Sequence, residues 1–247
     1  MPRFFVDPSQ IIDDHIYIHG GDVNHIRNVL RMKKGDELSV SDGQGQDYFC
    51  RIEQLDPDAI RLHIDNSWAS YVELPVEVTL FQGLPKADKM ELIIQKAVEL
   101  GAFRIVPVVT ERTIVRLDEK KAEKKQKRWQ QISESGAKQA GRGRIPQVGP
   151  MMTFQEALVS AKRLDGCLIP YERAKGMAAS RETIRGMKDC KRIGVFIGPE
   201  GGFSEKEIKE AMAAGAHPIT LGRRILRTET AGLTMLSILM YEFEEDV

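Results

Sequence analysis

Several things are scarce in this sequence, and each shortage narrows the field. Among 247 residues there are three cysteines. Cys50, Cys167 and Cys190 stand far apart, form no CxxC pair and make no metal-type cluster with the scattered histidines. A disulfide framework is thereby excluded, no metal is expected, and a reduced, cytoplasmic protein is the natural reading. No apolar run approaches the ~18 residues that a membrane span needs, and the opening MPRFFVDPSQ has no stretch resembling a secretory signal. Net charge is missing as well. Lys and Arg number 36 against 36 Asp and Glu, so a surface for nucleic acid must be a local patch, not a global field. The balance is uneven along the chain: the segment up to Ser70 is net acidic and the remainder net basic. No internal repeat or low-complexity linker is present.

What is there falls into two rhythms. From Phe4 to about Asp65 the pattern is short and strand-like: FFV, HIYIHG, ELSVSDG, then DYFCRIEQL and AIRLHID around the turn Asp56-Pro57-Asp58. One helix interrupts it, DVNHIRNVLRM, which Asp22 can cap and whose Val23, Ile26, Val29 and Leu30 fall on one face at helical spacing. This predicts a small β-barrel carrying one helix, over residues 1–70. After NSWASYVELP strands and helices alternate: VEVTLFQGL, a helix ending at Gly101, FRIVPVVT, a long helix from about Asp118 to Gly141, a helix near TFQEALVSAK, then GCLIPYE, a short helix, RIGVFIG, SEKEIKEAMAAGA, PITLG and a last helix from Thr228 to about Phe243. Such alternation predicts an α/β domain over 74–247 with a mostly parallel sheet covered on both faces.

Two stretches carry chemistry. In FIGPEGGFSEKE, residues 196–207, a buried strand leads through Gly198, Pro199, Glu200, Gly201 and Gly202 to a helix start where Ser204 and Glu207 form a capping box. A plain strand-to-helix turn needs one glycine. Three permit close backbone approach at the carboxyl end of a strand, where open α/β sheets bind ligands. No lysine and Ser/Thr follow the last glycine, as a P-loop requires, and GxGxxG is absent, the nearest match GRGRIP ending in proline. Glu200 would repel phosphates, so a neutral or cationic ligand fits better. In PITLGRRILRTETAGLTML, Arg223, Arg224 and Arg227 with Glu229 crowd a strand end, beside the first loop if the two strands are neighbours. Thr228 or Thr230 can cap the helix that follows, which buries Leu233, Leu236, Met240 and Phe243. Taken alone, this stretch reads equally well as a solvated charged turn.

IGPEGGFSEKE and LGRRILRTETA closely resemble the two signature loops of SPOUT-class methyltransferases, specifically the ribosomal small subunit methyltransferase E family. MPRFFV, HIRNVLRMKKGD, LPKADKMELIIQKAVELG, ERTIVR and RWQQISESGAKQAGRGRIP resemble that family in the same order, over nearly the whole chain. The resemblance implies a PUA-like β-barrel before a SPOUT domain with a C-terminal trefoil knot. It implies a homodimer that uses S-adenosylmethionine to methylate N3 of a uridine in small-subunit (16S) ribosomal RNA. A knot could not be read from periodicity, and true knots are essentially absent from proteins at large. Carried over by position, the cofactor contacts would be Gly198, Glu200, Gly201 and Gly202 from the first loop, with Leu221, Gly222, Leu226, Arg227, Thr230 and Ala231 from the second.

Methylation at N3 requires loss of the N3 proton and in-line approach to the methyl carbon, and much of the rate can come from positioning. Arg227 is a candidate to stabilise the developing uracil anion, and Glu229 to accept the proton or hold the arginine, although Glu229 reads equally well as a helix-start acid. For RNA contact the candidates are Arg3, His25, Arg27, Arg31, Lys33 and Lys34 in the first segment, with Lys138, Arg142 and Arg144 in the later glycine-rich bend. The run KKAEKKQKRW reads as a solvated helix face. Two alternatives stay open: a non-catalytic RNA-binding ribosome-assembly factor, and a SPOUT methyltransferase acting on a ribose 2'-hydroxyl or on transfer RNA.

Overall fold

The computed structural model describes residues 1–174 and 176–244. The chain divides into two compact units, residues 1–73 with 137–145, and residues 74–136 with 146–247. The boundary expected near residue 70 ignores the return of 137–145 to the first unit.

In the first unit six strands, β1 (Arg3–Phe5), β2 (Ile11–Ile12), β3 (His15–His19), β4 (Glu37–Ser41), β5 (Gln46–Leu55) and β6 (Ala59–Ala69), form one sheet in the order β1-β4-β5-β6-β3-β2. Their alternating side chains enclose one core of Phe4, Ile16, Ile18, Leu38, Val40, Ile52, Ile60 and Leu62, closed by Val23 and Ile26 from the helical segment. That segment differs from the expected helix. α1 (Gly21–Asn24) starts one residue before Asp22, which therefore lies in the first turn instead of capping it, and Gly20 occupies the cap position with no side-chain bond. Residues His25–Val29 then wind as a π-helical turn, with the Leu30 N–H bonded to the His25 carbonyl at 2.9 Å. The wider turn breaks the 3.6-residue register. Val23 and Ile26 reach the core, whereas Val29 is 62% exposed and Leu30 37% exposed.

The bend of 137–145 is organised by Glu73. Its Oε1 accepts the N–H groups of Gly143 and Arg144, each at 3.1 Å, and the Arg142 guanidinium bonds both of its oxygens. Five histidines that look scattered in sequence are partly gathered. His15 and His63 face each other across the β3/β6 ladder, and Asp14 brings a carboxylate within 4.8 Å of both rings' ligand atoms. His15 Nε2 also contacts Glu53 at 3.1 Å, which is shared by Arg61.

In the second unit seven strands make a sheet in which every pairing is parallel: β7 (Glu77–Gly83), β8 (Arg104–Val109), the short β9 (Gln147–Val148) and β10 (Met152–Thr153), β11 (Gly166–Pro170), β12 (Arg192–Ile197) and β13 (Ala216–Ile219). The order is β10-β8-β7-β12-β11-β13, with β9 also on β8. Continuous burial from Ile193 to Ile197 marks β12 as central, covered on both faces. α4 (Phe154–Ala161) and α6 (Glu205–Ala213) pack on a cluster containing Phe81, Phe196, Phe203 and Ile208, in which the Phe81 and Phe196 rings stack at 4.5 Å. α2 (Lys89–Glu99) packs against the last helix, α7 (Thr228–Phe243), and α7 against β12, while α5 (Met177–Arg185) lies by β13. α3 (Glu119–Gln139) is the long basic helix. The core face of α7 is Gly232, Met235, Leu236, Leu239 and Phe243. Leu233 and Met240, expected inside, are half-buried. No helix among the described residues is long and apolar enough to cross a membrane.

Candidate functional site

The two loops singled out in the sequence do meet, although β12 and β13 are not neighbours: β11 runs between them. The carboxyl ends of all three strands open into a cavity of about 460 Å³, within the size range of small-molecule sites. The first loop forms one wall with Gly198, Glu200, Gly201 and Gly202, and the second loop forms another with Leu221, Gly222, Leu226 and Arg227, to which α7 adds Ala231. Thr230 does not line the cavity and is exposed at the helix start. Between the loops the end of β11 contributes Pro170, Tyr171 and Glu172, which sequence reasoning did not single out. A signal existed: GCLIPYE is a strand whose carboxyl end is a ligand position by topology alone.

The first loop explains its own glycines. Gly202 has φ +67°, in the left-handed region, and its N–H closes a turn onto the Pro199 carbonyl at 2.8 Å. Close approach dictates another glycine, in a different strand: a Cβ on Gly83, at the end of β7, would lie 2.5 Å from Pro199 N. Ser204 and Glu207 form the expected capping box at α6, and the structure extends it. Glu207, buried, accepts the Glu111 N–H at 2.8 Å, while Ser204 Oγ donates to Glu111 Oε2 at 2.7 Å. This fixes the segment carrying Arg112, whose Nη1 donates to the Gly201 carbonyl at 2.8 Å.

Thr228 does not cap α7 as expected. The cap position is Arg227, with no side-chain bond, because the Thr228 hydroxyl is committed elsewhere: it donates to the Gly198 carbonyl at 2.6 Å and accepts from Gln82 Nε2 at 2.8 Å. One buried threonine thus ties the start of α7 to the first loop.

The charges are arranged differently from the sequence expectation. Glu200 does not stand free: both its oxygens accept the Lys86 N–H, at 3.2 and 3.4 Å, and Oε1 lies 3.2 Å from Lys89 Nζ. Burial pushes the Glu200 carboxyl up, but hydrogen bonds from its own backbone, Lys89 and Lys86 outweigh this and hold it below the usual carboxylate range. Much of its charge is therefore spent on Lys89, which weakens the argument that Glu200 alone selects a cationic ligand. Glu172 is the cavity carboxylate with no ion pair among the described residues. Glu229 does not hold Arg227. It pairs with Lys89 at 3.3 Å, leaving the Arg227 guanidinium exposed on the cavity wall with no ion pair among the described residues.

The candidate RNA residues, all in the first unit, separate into two groups. His25, Arg31, Lys33, Lys34 and Lys138 are exposed and Arg27 is half-buried. His25 rests edge-on against Phe4, and Lys138 lies 3.5 Å from Asp22. Arg3 and Arg142 are structural instead. Arg3 donates to the buried Asp47 at 2.5 Å, and Arg142 is spent on Glu73. The Arg142 guanidinium, buried, needs its carboxylate and is withdrawn from any partner, whereas Arg3 is half-buried and committed to the buried Asp47. Arg144 is half-buried beside the Gln44 bridge.

A parallel α/β unit with a strand-end cavity, in a chain that also has a small β unit bearing exposed cations, suits a protein that binds a small ligand and a polyanion. The RNA methyltransferase domain family matches residues 72–240, and the RNA methyltransferase PUA domain family matches 18–65. Ribosomal RNA small subunit methyltransferase E of Bacillus subtilis is 34% identical over 99% of this chain and 98% of its own, and that of Synechocystis 32% identical over 95% and 76%. The crystal structure of a ribosomal RNA small subunit methyltransferase E from Neisseria gonorrhoeae bound to S-adenosyl methionine superposes with a TM-score of 0.82 at 34% identity, covering 98% of this chain and 97% of that one. The chain belongs to the ribosomal RNA small subunit methyltransferase E family.

Proposed function

We propose that the protein transfers a methyl group from S-adenosylmethionine to N3 of a specific uridine in small-subunit (16S) ribosomal RNA. The observation that carries this reading is the cavity itself: two loops locked together by Thr228 close it at the ends of three parallel strands, in a chain of this family. The residues fit the cofactor. The first loop has no lysine to meet a phosphate and the lysine that lines the cavity, Lys89, is paired with Glu200 and Glu229; the cradle is glycine-lined, and its size suits a nucleoside joined to an amino acid. Bound there, S-adenosylmethionine supplies an electrophilic methyl group on a sulfonium centre. Gly198, Gly201 and Gly202 would bring main chain against it, and Leu221, Gly222, Leu226 and Ala231 would form the facing wall.

Arg227, with no ion pair among the described residues, is placed on that wall to stabilise negative charge developing on the uracil. Glu229, ion-paired with Lys89, is a weak candidate for taking the N3 proton and a better one for orienting the site. N3 lies on the Watson–Crick edge, so the target base must be unpaired or flipped out. His25, Arg27, Arg31, Lys33 and Lys34, gathered around the π-helical turn, offer phosphate contacts to flanking RNA, with Lys138 and Arg144 as further cations. The same reading includes a homodimer, a cytoplasmic location and a trefoil knot in the C-terminal part of the α/β unit. Support for the knot comes from membership of the family alone. Transfer of labelled methyl from S-adenosylmethionine to small ribosomal subunits lacking the modification, with identification of the labelled nucleoside, tests the proposal.

A further inference from the structure

We propose that Lys89 is a positioning residue of this site: its ammonium group clamps Glu200 of the first loop to Glu229 at the start of α7 and so fixes the two walls of the cavity relative to each other. The inference rests on the reading of the cavity as the cofactor site.

Lys89 is the first residue of α2 and lines the cavity. A cation at a helix N-terminus sits against the positive end of the helix dipole, an unfavourable place unless something compensates. The compensation is two carboxylates on two different elements, Glu200 Oε1 at 3.2 Å and Glu229 Oε2 at 3.3 Å. The need runs in both directions. Glu229 Oε2 is buried and has no hydrogen-bond partner of good geometry, so the contact with Lys89 is the only ion pair it has among the described residues.

The turn before α2 brings a second donor to Glu200. Ala87 has φ +54°, a conformation that costs a non-glycine residue roughly 1 kcal/mol or more. It lies between the Lys86 N–H and the Lys89 side chain, the two donors that converge on Glu200. The hydrogen bond to Glu200, and then the proximity of Glu229, hold the Lys89 ammonium above the ordinary lysine range despite an opposing desolvation effect. The clamp therefore stays charged at every pH at which the protein would be assayed. Gly198 and Thr228 provide a second tie between the same two walls, so loss of Lys89 should loosen the cavity without dismantling the fold.

A positive charge this close to a sulfonium site could instead act as simple repulsion, and the two roles are separable. S-adenosylmethionine and S-adenosylhomocysteine differ in the charge on sulfur. Equilibrium binding of both ligands is measured for wild type, Lys89→Met and Lys89→Arg, with the unfolding transition followed in parallel. Positioning predicts that Lys89→Met weakens both ligands by a similar factor, on the order of 10-fold, and that Lys89→Arg recovers much of the loss. Undiminished affinity of Lys89→Met for both ligands, or a gain for S-adenosylmethionine alone, would overturn the inference. Wild-type protein that bound neither ligand would overturn the cofactor reading and the inference with it. Should Lys89→Met be unstable because Glu229 is left unpaired, the double variant Lys89→Met/Glu229→Gln removes that cost. The clamp is still absent there, so affinity should stay low; full recovery would refute positioning.

Discussion

Replacing Gly83 by alanine tests the geometry of the site from outside it. Gly83 ends β7 and does not itself line the cavity, but an added Cβ would stand 2.5 Å from Pro199 N, 2.6 Å from Pro199 Cδ and 2.9 Å from the Gly198 carbonyl carbon, behind the loop that does. All three atoms belong to the first loop, and none is the end of a flexible side chain. An ordinary contact needs about 1 Å more. Two outcomes are available, and both are measurable. If the loop stays, the overpacking costs roughly 1–3 kcal/mol, which lowers the unfolding midpoint by about 2–12 °C for a chain of this size. If the loop retreats by that 1 Å, the methyl donor is misplaced and turnover falls on the order of 100-fold. Thermal unfolding and initial methyl-transfer rates, recorded on the same preparation, read both. A variant with wild-type midpoint and wild-type rate would refute the close approach of the β7 end to the first loop.

Gly201→Val should abolish cofactor binding and leave the fold intact. Its Cβ would meet Arg112 Cβ at 3.1 Å in an exposed loop, disturbing the Arg112 bond to the Gly201 carbonyl; normal binding by the folded variant removes this loop from the site. The buried thiols give a pH signature. Burial pushes Cys50 up to about 12 and Cys167 up to about 11. Between about pH 9 and these values the folded chain holds protons that the unfolded chain has released, so stability falls as pH rises, by up to about 1.4 kcal/mol per pH unit per thiol. A thiol reagent at pH 8 should accordingly label half-buried Cys190 first, and rapid native labelling of Cys50 or Cys167 would contradict their burial.

The order of strands and helices was legible because parallel strands such as Ile193–Ile197 are buried on both faces and write themselves as unbroken apolar runs. The Ser204–Glu207 capping box is a local device and was legible for that reason. Features fixed by distant parts of the chain were not. β11 entering between β12 and β13 is a matter of strand order, which no window of sequence contains. Thr228 looks like a cap because its competing partners, Gly198 and Gln82, lie far away along the chain. Lys89 was hidden in an amphipathic helix, and only folding brings Glu200 and Glu229 to it. Arg3 and Arg142 carry the same charge as Lys33 and Lys34, yet point inward to Asp47 and Glu73, a choice that composition cannot express. The π-helical turn at His25–Val29 also leaves no periodic trace over one turn, so Val29 and Leu30 align with the core face by helical spacing and yet turn outward.

Methyl transfer to small ribosomal subunits that lack the modification tests the central claim most directly. Label from S-adenosylmethionine should appear in N3-methyluridine after digestion and be lost with Gly201→Val. Label in a ribose-methylated nucleoside or in transfer RNA would contradict the substrate, and no label despite measurable cofactor binding would contradict the enzyme and leave a binding protein.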